Sequence, residues 1–114
     1  MHRKFKRNRK LLCADLFAGA GGLAVGFHLE GFTPVFFNEI EANAALTFSS
    51  NFSAAVPFIQ PIQELTAKII LKTCSLCKDE LDVMLGGPPC QGFSINAPIR
   101  DLKEKYLNLS LTVI

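Results

Sequence analysis

The chain has 114 residues, of which 49% are hydrophobic and 19% are charged, and this composition indicates a globular domain and excludes an intrinsically disordered chain. The net charge of +2 is unevenly distributed: six of the 12 basic residues lie in residues 1–10, so residues 11–114 carry six basic and ten acidic groups, a balance of −4. Asp15 interrupts the first apolar run, which excludes a secretory signal there, and no run approaches the roughly 20 apolar residues of a membrane span.

The elements predicted from hydrophobic patterning alternate between strands and helices of about ten residues. This alternation predicts an α/β fold with a mainly parallel sheet and flanking helices. Residues 56–62 are predicted to be extended because two prolines exclude a helix interior. The last residues, 106–114, alternate between apolar and polar side chains, which predicts a strand. The predicted strands are 11–17, 34–40 and 81–87, and the predicted helices are 23–30, 41–52 and 64–73.

The basic segment 1–10 is predicted to be a tail attached to one domain over residues 11–114. The tail could neutralise nucleic-acid phosphates, or it could be an ordinary solvated end. Without an export signal, the four cysteines are expected to be reduced, which favours a cytoplasmic protein, or a nuclear one in a eukaryote. Cys74 and Cys77 form a single C-x-x-C without further ligands at a helpful spacing, so we predict ordinary cysteines rather than a zinc site.

A glycine-rich turn, "DLFAGAGG", lies between the first predicted strand and the first helix. Its glycines allow a ligand to approach bare backbone at a helix N-terminus. Glu39 ends the next strand, 20 residues after Gly19, where a carboxylate can accept hydrogen bonds from ribose hydroxyls. The pattern is G-x-G-G and not the dinucleotide fingerprint G-x-G-x-x-G. The order of strand, turn, helix, strand and acid predicts a nucleoside-cofactor site, with a purely structural turn as the alternative.

Cys90 follows the last predicted strand in "LGGPPCQGFS". The carboxyl ends of strands form the ligand crevice in open α/β sheets, and Pro88 and Pro89 stiffen the chain that leads to the thiol. We predict that Cys90 is a nucleophile rather than a buried structural cysteine. The nearest cation in sequence is Arg100, so the sequence does not reveal how the thiolate forms.

The three segments "DLFAGAGGL", "NEIE" and "GGPPCQGFS" together resemble motifs of the cytosine-C5 DNA methyltransferases, which act in DNA methylation and in restriction–modification. The resemblance covers roughly residues 12–100. It implies a partial Rossmann-like S-adenosylmethionine-dependent methyltransferase fold, so that residues 11–114 form an incomplete catalytic domain. It also implies that S-adenosyl-L-methionine is the cofactor and that Cys90 attacks C6 of a cytosine flipped out of double-stranded DNA. The residues implied to bind the cofactor are Asp15, Phe17, Gly19, Ala20, Gly22, Glu39, Ile40 and Ile62.

The sequence departs from the family pattern in three respects. Ile40 stands where the family commonly has an aromatic residue that stacks on adenine, and Pro61 replaces an aspartate that accepts from the adenine amino group. The chain also ends before the Glu-Asn-Val motif, the target-recognition domain and the final motif. We therefore expect a truncated or split methyltransferase, inactive alone and sparingly soluble, which a second chain could complete. The alternatives are a catalytically dead fragment that binds S-adenosylmethionine or a partner, and a non-functional remnant.

Overall fold

A computed structural model of the chain describes residues 9–87, which form four parallel strands with helices between them. The sheet order is β3-β2-β1-β4, so the first strand lies in the interior of the sheet. The class predicted from the sequence, an α/β fold with a mainly parallel sheet, is confirmed. The strands are β1 (Leu11–Leu16), β2 (Phe32–Asn38), β3 (Val56–Phe58) and β4 (Val83–Gly86). The helices are α1 (Gly22–Leu29), α2 (Ala42–Asn51) and α3 (Ala67–Cys74).

The sheet has an apolar core on each of its faces. Because successive side chains of a strand point to opposite faces, the neighbours Phe36 and Phe37 of β2 enter different cores. Phe37 stacks on Phe48 of α2 with ring centroids 4.0 Å apart. The buried residues of this first core are Ala24, Phe37, Ala45, Phe48 and Ala55. The buried residues of the second core are Ala14, Leu16, Phe36, Phe58, Ile62, Leu65 and Ile70.

Helix α3 begins three residues later than the predicted helix 64–73. Residues Ile62–Glu64 form a 3₁₀ turn, and Thr66 caps α3 by accepting a hydrogen bond from the amide of Ile69 (3.2 Å). Ile70 is the buried residue of α3, whereas the neighbouring Ile69 is 43% exposed. Leu46 of α2 is exposed, whereas Ala45 and Phe48 of the same helix are buried. None of the helices within residues 9–87 combines the length and apolarity needed to cross a bilayer.

Asp82 joins the beginnings of β1 and β4. Its carboxylate accepts hydrogen bonds from the amide of Leu12 (2.7 Å) and from the guanidinium of Arg9 (2.9 Å). The amide of Asp82 in turn donates to the carbonyl of Leu12 (2.9 Å). One residue of the basic segment therefore forms an ion pair with the domain. The predicted nucleic-acid role of residues 1–10 and the predicted strand over 106–114 concern segments that lie largely or wholly outside the described residues.

Candidate functional site

The candidate site lies at the carboxyl edge of the sheet, where three neighbouring parallel strands end. The glycine turn over residues 17–22 follows β1, residues 39–41 follow β2, and residues 59–62 follow β3. Because all three segments leave the same edge, side chains that are distant in sequence can meet there. Most of the predicted cofactor residues belong to these segments or to the strand ends that precede them.

The glycine turn contains three residues in the left-handed region of backbone conformation. They are Phe17 (φ 53°), Gly19 (φ 59°) and Gly21 (φ 102°). A positive φ is rare for a bulky residue such as phenylalanine, and such backbone outliers cluster at ligand sites. The amide of Ala18 donates to the carbonyl of Asn38 (2.9 Å), which holds the turn against the end of β2.

Glu39 bridges the glycine turn and the beginning of α2 with its carboxylate. Oε1 accepts from the amide of Gly19 (2.8 Å), and Oε2 accepts from the amide of Glu41 (2.9 Å). The Glu41 side chain caps α2 by accepting from the amides of Asn43 and Ala44. Glu39 is therefore held in place by backbone donors on both sides. Each oxygen has a second lone pair, so the carboxylate can still accept hydrogen bonds from a ligand.

Asp15, near the end of β1, is 2% exposed, and its Oδ2 is the one buried side-chain oxygen or nitrogen without a hydrogen-bond partner among the described residues. Burial, and secondarily the nearby Glu39 carboxylate, raise the pKa of Asp15 to about 6. A buried acceptor without a partner costs about 1–3 kcal/mol, which a donor on a bound ligand would recover. Asp15 thus has the properties of a ligand-binding carboxylate.

Asn38, the last residue of β2, was not among the residues predicted from the sequence. It is 3% exposed, and its side-chain amide donates to the carbonyls of Phe58 (2.9 Å) and Gln60 (2.8 Å). The available signal was a polar residue at the end of an otherwise apolar strand, directly before Glu39. Its partners could not be found from sequence because they lie 20 and 22 residues away.

The remaining predicted site residues differ in their accessibility. Ala20 and Gly22 are exposed on the glycine turn, and Ile40 is 65% exposed beside Glu39. Ile62 is 5% exposed and packs in the core between the sheet and α3, so little of its side chain is available to a ligand. The structure therefore brings the turn, Asp15 and Glu39 together, and leaves Ile62 mostly within the core. Cys90 lies outside the described residues.

The described thiols differ in accessibility and acidity. Cys13 is fully buried in β1, and burial, followed by the charge of Asp15, raises the pKa of its thiol to about 11. Burial also raises the pKa of Cys74, whereas Cys77 is exposed. Since the thiolate is the nucleophilic form, Cys13 is unreactive at neutral pH. Within residues 9–87, no three histidine, cysteine or acidic side chains are grouped as metal ligands.

The carboxylate acceptors and the accessible backbone of the glycine turn fit a nucleoside cofactor. A Cβ added at Gly19 or Gly22 would meet no atom of the described residues within 4 Å, and the amide of Gly19 lies directly beside the Glu39 carboxylate. The carboxylate of Glu39 can accept from hydroxyl groups, and the unpartnered Oδ2 of Asp15 can accept from a further donor. The arrangement can therefore bind a ligand that carries several hydrogen-bond donors.

Two glycine substitutions separate folding from ligand access in this turn. Gly21→Ala should lower the free energy of unfolding by about 2–4 kcal/mol, because φ is 102° and the new Cβ would lie 2.9 Å from Cδ2 of Phe48. Gly22→Ala, which meets no neighbour, should change it by less than about 0.5 kcal/mol and should instead weaken ligand binding. Urea denaturation followed by circular dichroism measures the free energy of unfolding of both variants. Equal destabilisation by the two substitutions would contradict the prediction that Gly21, and not Gly22, is required for folding.

Comparisons with known proteins identify the family of the chain. The family model for C-5 cytosine-specific DNA methylase matches residues 11–114. The Type II methyltransferase M.AgeI of Thalassovita gelatinovora is 40% identical over 87 residues, which cover 76% of this chain and 20% of that protein. The Type II methyltransferase M.HgiGI of Herpetosiphon aurantiacus is 38% identical over 101 residues, 88% of this chain and 75% of that protein.

A solved structure has the same fold. A crystal structure described as that of a prophage-encoded DNA modification methyltransferase of E. coli superposes with a TM-score of 0.72 at 33% identity. The superposition covers 90% of this chain and 28% of that one. The match therefore spans 20% of the length of M.AgeI and 28% of the length of this structural neighbour.

Proposed function

The chain belongs to the C-5 cytosine-specific DNA methylase family, and on this basis we propose that it supplies the cofactor site and the nucleophile for methyl transfer to C5 of cytosine in DNA. The observation that carries the proposal is the pair of buried or bridging carboxylates, Asp15 and Glu39, on either side of a glycine turn at the carboxyl edge of a parallel sheet. Both relatives are Type II methyltransferases, which supports the reaction class.

The proposed cofactor is S-adenosyl-L-methionine, which supplies the methyl group when bound. Glu39 would accept hydrogen bonds from the ribose hydroxyls through the lone pairs that Gly19 and Glu41 leave free. Asp15 would accept a donor from the methionine side with its unpartnered Oδ2. Phe17, Ala20 and Gly22 of the turn would line the site, and the exposed side chain of Ile40 would give adenine an apolar contact. Ile62 stays a predicted contact, with most of its side chain in the core.

Cys90 is the proposed nucleophile. Its thiolate would form a bond to C6 of cytosine, which makes C5 nucleophilic enough to take the methyl group. Removal of the proton from C5 would then re-form the C5–C6 double bond and expel the thiolate. Covalent attack divides one difficult step into two easier ones. The buried Cys13 cannot take this role because its thiol stays protonated near neutral pH.

Double-stranded DNA is the proposed substrate, and the target cytosine must leave the helix, since neither C5 nor C6 can be reached inside the stack. The chain aligns with only 20% of the length of M.AgeI. We therefore propose that polypeptide outside these 114 residues supplies target recognition and the groups that contact the base. DNA as substrate, together with the free thiols of the described cysteines, agrees with a cytoplasmic protein.

Calorimetric titration of the 114-residue chain with S-adenosyl-L-methionine tests the cofactor site. Glu39→Gln should weaken binding by about 10- to 100-fold, because an amide cannot accept from both backbone N–H groups and also from ribose. Glu41→Gln is the matched control, since it removes the same charge two residues away. It should leave the affinity within about threefold while costing about 0.5–1 kcal/mol as a lost helix cap.

Two outcomes contradict the proposal. If the wild-type chain does not bind S-adenosyl-L-methionine, the proposed cofactor site is wrong, and the result favours the alternative of a non-functional remnant. If Glu39→Gln and Glu41→Gln weaken binding equally, the effect is one of general charge, and the assignment of Glu39 to ribose is wrong.

A further inference from the structure

The side chain of Asn38 makes one buried and one partly buried hydrogen bond that belong to no regular strand pairing. The side-chain Nδ2 donates to the carbonyl oxygens of Phe58 (2.9 Å) and Gln60 (2.8 Å). Both acceptors lie at the end of β3 or just beyond it, and the Asn38 side chain is almost completely buried. A buried amide with two short, direct hydrogen bonds fixes the position of the backbone that accepts them.

These bonds extend the pairing of β2 and β3 beyond its regular end. The register of the two strands stops at Asn38 and Phe58, where the amide of Glu39 also donates to the Phe58 carbonyl (3.2 Å). Gln60 lies past that point, and its carbonyl is held by the Asn38 side chain. The chain then passes through Pro61 into the 3₁₀ turn Ile62–Glu64. The path of residues 58–62 is thus set from the end of β2.

The same end of β2 holds the glycine turn. The carbonyl of Asn38 accepts from the amide of Ala18, and the neighbouring Glu39 accepts from Gly19. β2 lies between β1 and β3 in the sheet, so the turn and the segment 58–62 lie on its two sides. Two adjacent residues therefore connect both flanks of the candidate site, Glu39 towards β1 and Asn38 towards β3.

We propose that Asn38 is a positioning residue of the cofactor site, which holds residues 58–62 as the wall opposite the glycine turn. The inference rests on the proposed function, because it takes the space between these two segments as the nucleoside site. The segment presents no side-chain acceptor at Pro61, so the placement of its backbone and apolar atoms determines how it meets a base. A shift of this wall would weaken binding without removing any group that contacts the ligand.

The test is Asn38→Asp in the 114-residue chain, titrated with S-adenosyl-L-methionine at pH 8 and pH 6. An ionised carboxylate cannot donate to the two carbonyls, whereas a protonated carboxyl group can donate to one of them. At pH 8 the variant should bind about tenfold more weakly than the wild type, and at pH 6 the deficit should shrink to about threefold. Asp15, whose pKa is about 6, titrates in this range in both proteins, so the affinity of the variant is compared with that of the wild type at each pH.

Asn43→Asp is the matched control, because it makes the same change at an exposed position of α2 and should show no such recovery. Where Asn38→Asp does not fold at pH 8, Asn38→Ser replaces it. Its side chain is one atom too short to replace the two bonds and does not titrate in this range, so a deficit that is equal at both pH values is expected. A deficit of Asn38→Asp that is equal at both pH values, or affinity at the wild-type level throughout, would overturn the proposal.

Hydrogen exchange provides a measurement that needs no ligand. The amides of Glu64 and Leu65 donate to the carbonyls of Pro61 and Ile62. They should exchange about tenfold faster in Asn38→Asp than in the wild type at pH 8, and at the wild-type rate in Asn43→Asp. If the wild type binds no cofactor, the proposed function fails, and exchange alone decides whether Asn38 holds this segment. Unchanged exchange in Asn38→Asp would refute the positioning role in either case.

Discussion

Replacing Cys90 by serine is expected to abolish the covalent complex between the chain and DNA that contains 5-fluorocytosine. Fluorine at C5 cannot leave as a proton does, so the bond between the Cys90 sulfur and C6 should persist after methyl transfer. A serine hydroxyl is not ionised near neutral pH and is a far weaker nucleophile than a thiolate. The amount of complex should fall by more than about a thousandfold, that is, below detection.

The measurement is a denaturing gel of the chain after incubation with labelled DNA, S-adenosyl-L-methionine and the polypeptide that supplies target recognition. Cys77→Ser is the control, because Cys77 is the exposed thiol among the described cysteines and has no proposed role in the chemistry. It should form the complex at the wild-type level. A complex that still forms with Cys90→Ser would refute the proposal that Cys90 is the nucleophile. Binding of the cofactor without any complex in the wild type would support the alternative, a binding fragment that does no chemistry.

Asp15→Asn is expected to remove a large pH dependence of stability. The pKa of Asp15 is about 6 in the folded chain, above its ordinary value of 3.8, so the folded state binds the proton more tightly than the unfolded state does. The wild type should therefore lose stability relative to the variant as the pH rises from 4 to 6, and the difference should be constant above that range. The change corresponds to about 3 kcal/mol.

Urea denaturation of both proteins at pH values from 4 to 8 gives this difference directly. Asp79→Asn, at an exposed position with a positive φ that asparagine tolerates, controls for the general effect of removing an acid. The relevant quantity is the wild-type free energy of unfolding minus that of Asp15→Asn. If this difference does not vary with pH, burial does not destabilise the ionised Asp15 carboxylate, and the proposal that Asp15 accepts a hydrogen bond from the ligand loses its support.

The glycine turn and Glu39 could be predicted from sequence because their meaning depends on local order along the chain. A strand followed by glycines, a helix, a second strand and a terminal acid already implies that Gly19 and Glu39 lie at one edge of a parallel sheet. The hydrogen bond between them, across 20 residues, agrees with that prediction. The bonds from Asn38 to the segment after β3 depend on how two strand ends diverge, which no local pattern encodes.

The start of α3 shows a different limit of prediction from sequence. Periodic apolar residues suggested a helix from residue 64, but the structure uses Thr66 as the cap and places Leu65 before it. Leu65 and Ile70 share one core, in the positions of the hydrophobic staple that fixes how a chain enters a helix. Thr66, which precedes an apolar run, was the signal in the sequence that could have indicated the start of the helix. The apolar periodicity included Leu65 in the predicted helix, although Leu65 is buried as part of the staple and precedes the helix.

The order of the strands has a consequence for biosynthesis. β1 emerges from the ribosome first, yet one of its two partners is β4, and the contact between Leu12 and Asp82 spans 70 residues. At a translation rate of about 5–20 residues per second, that interval corresponds to about 4–14 s. During this time one backbone edge of the nascent β1 has no neighbour to pair with. The growing chain therefore passes through a stage in which a molecular chaperone has an open strand to bind.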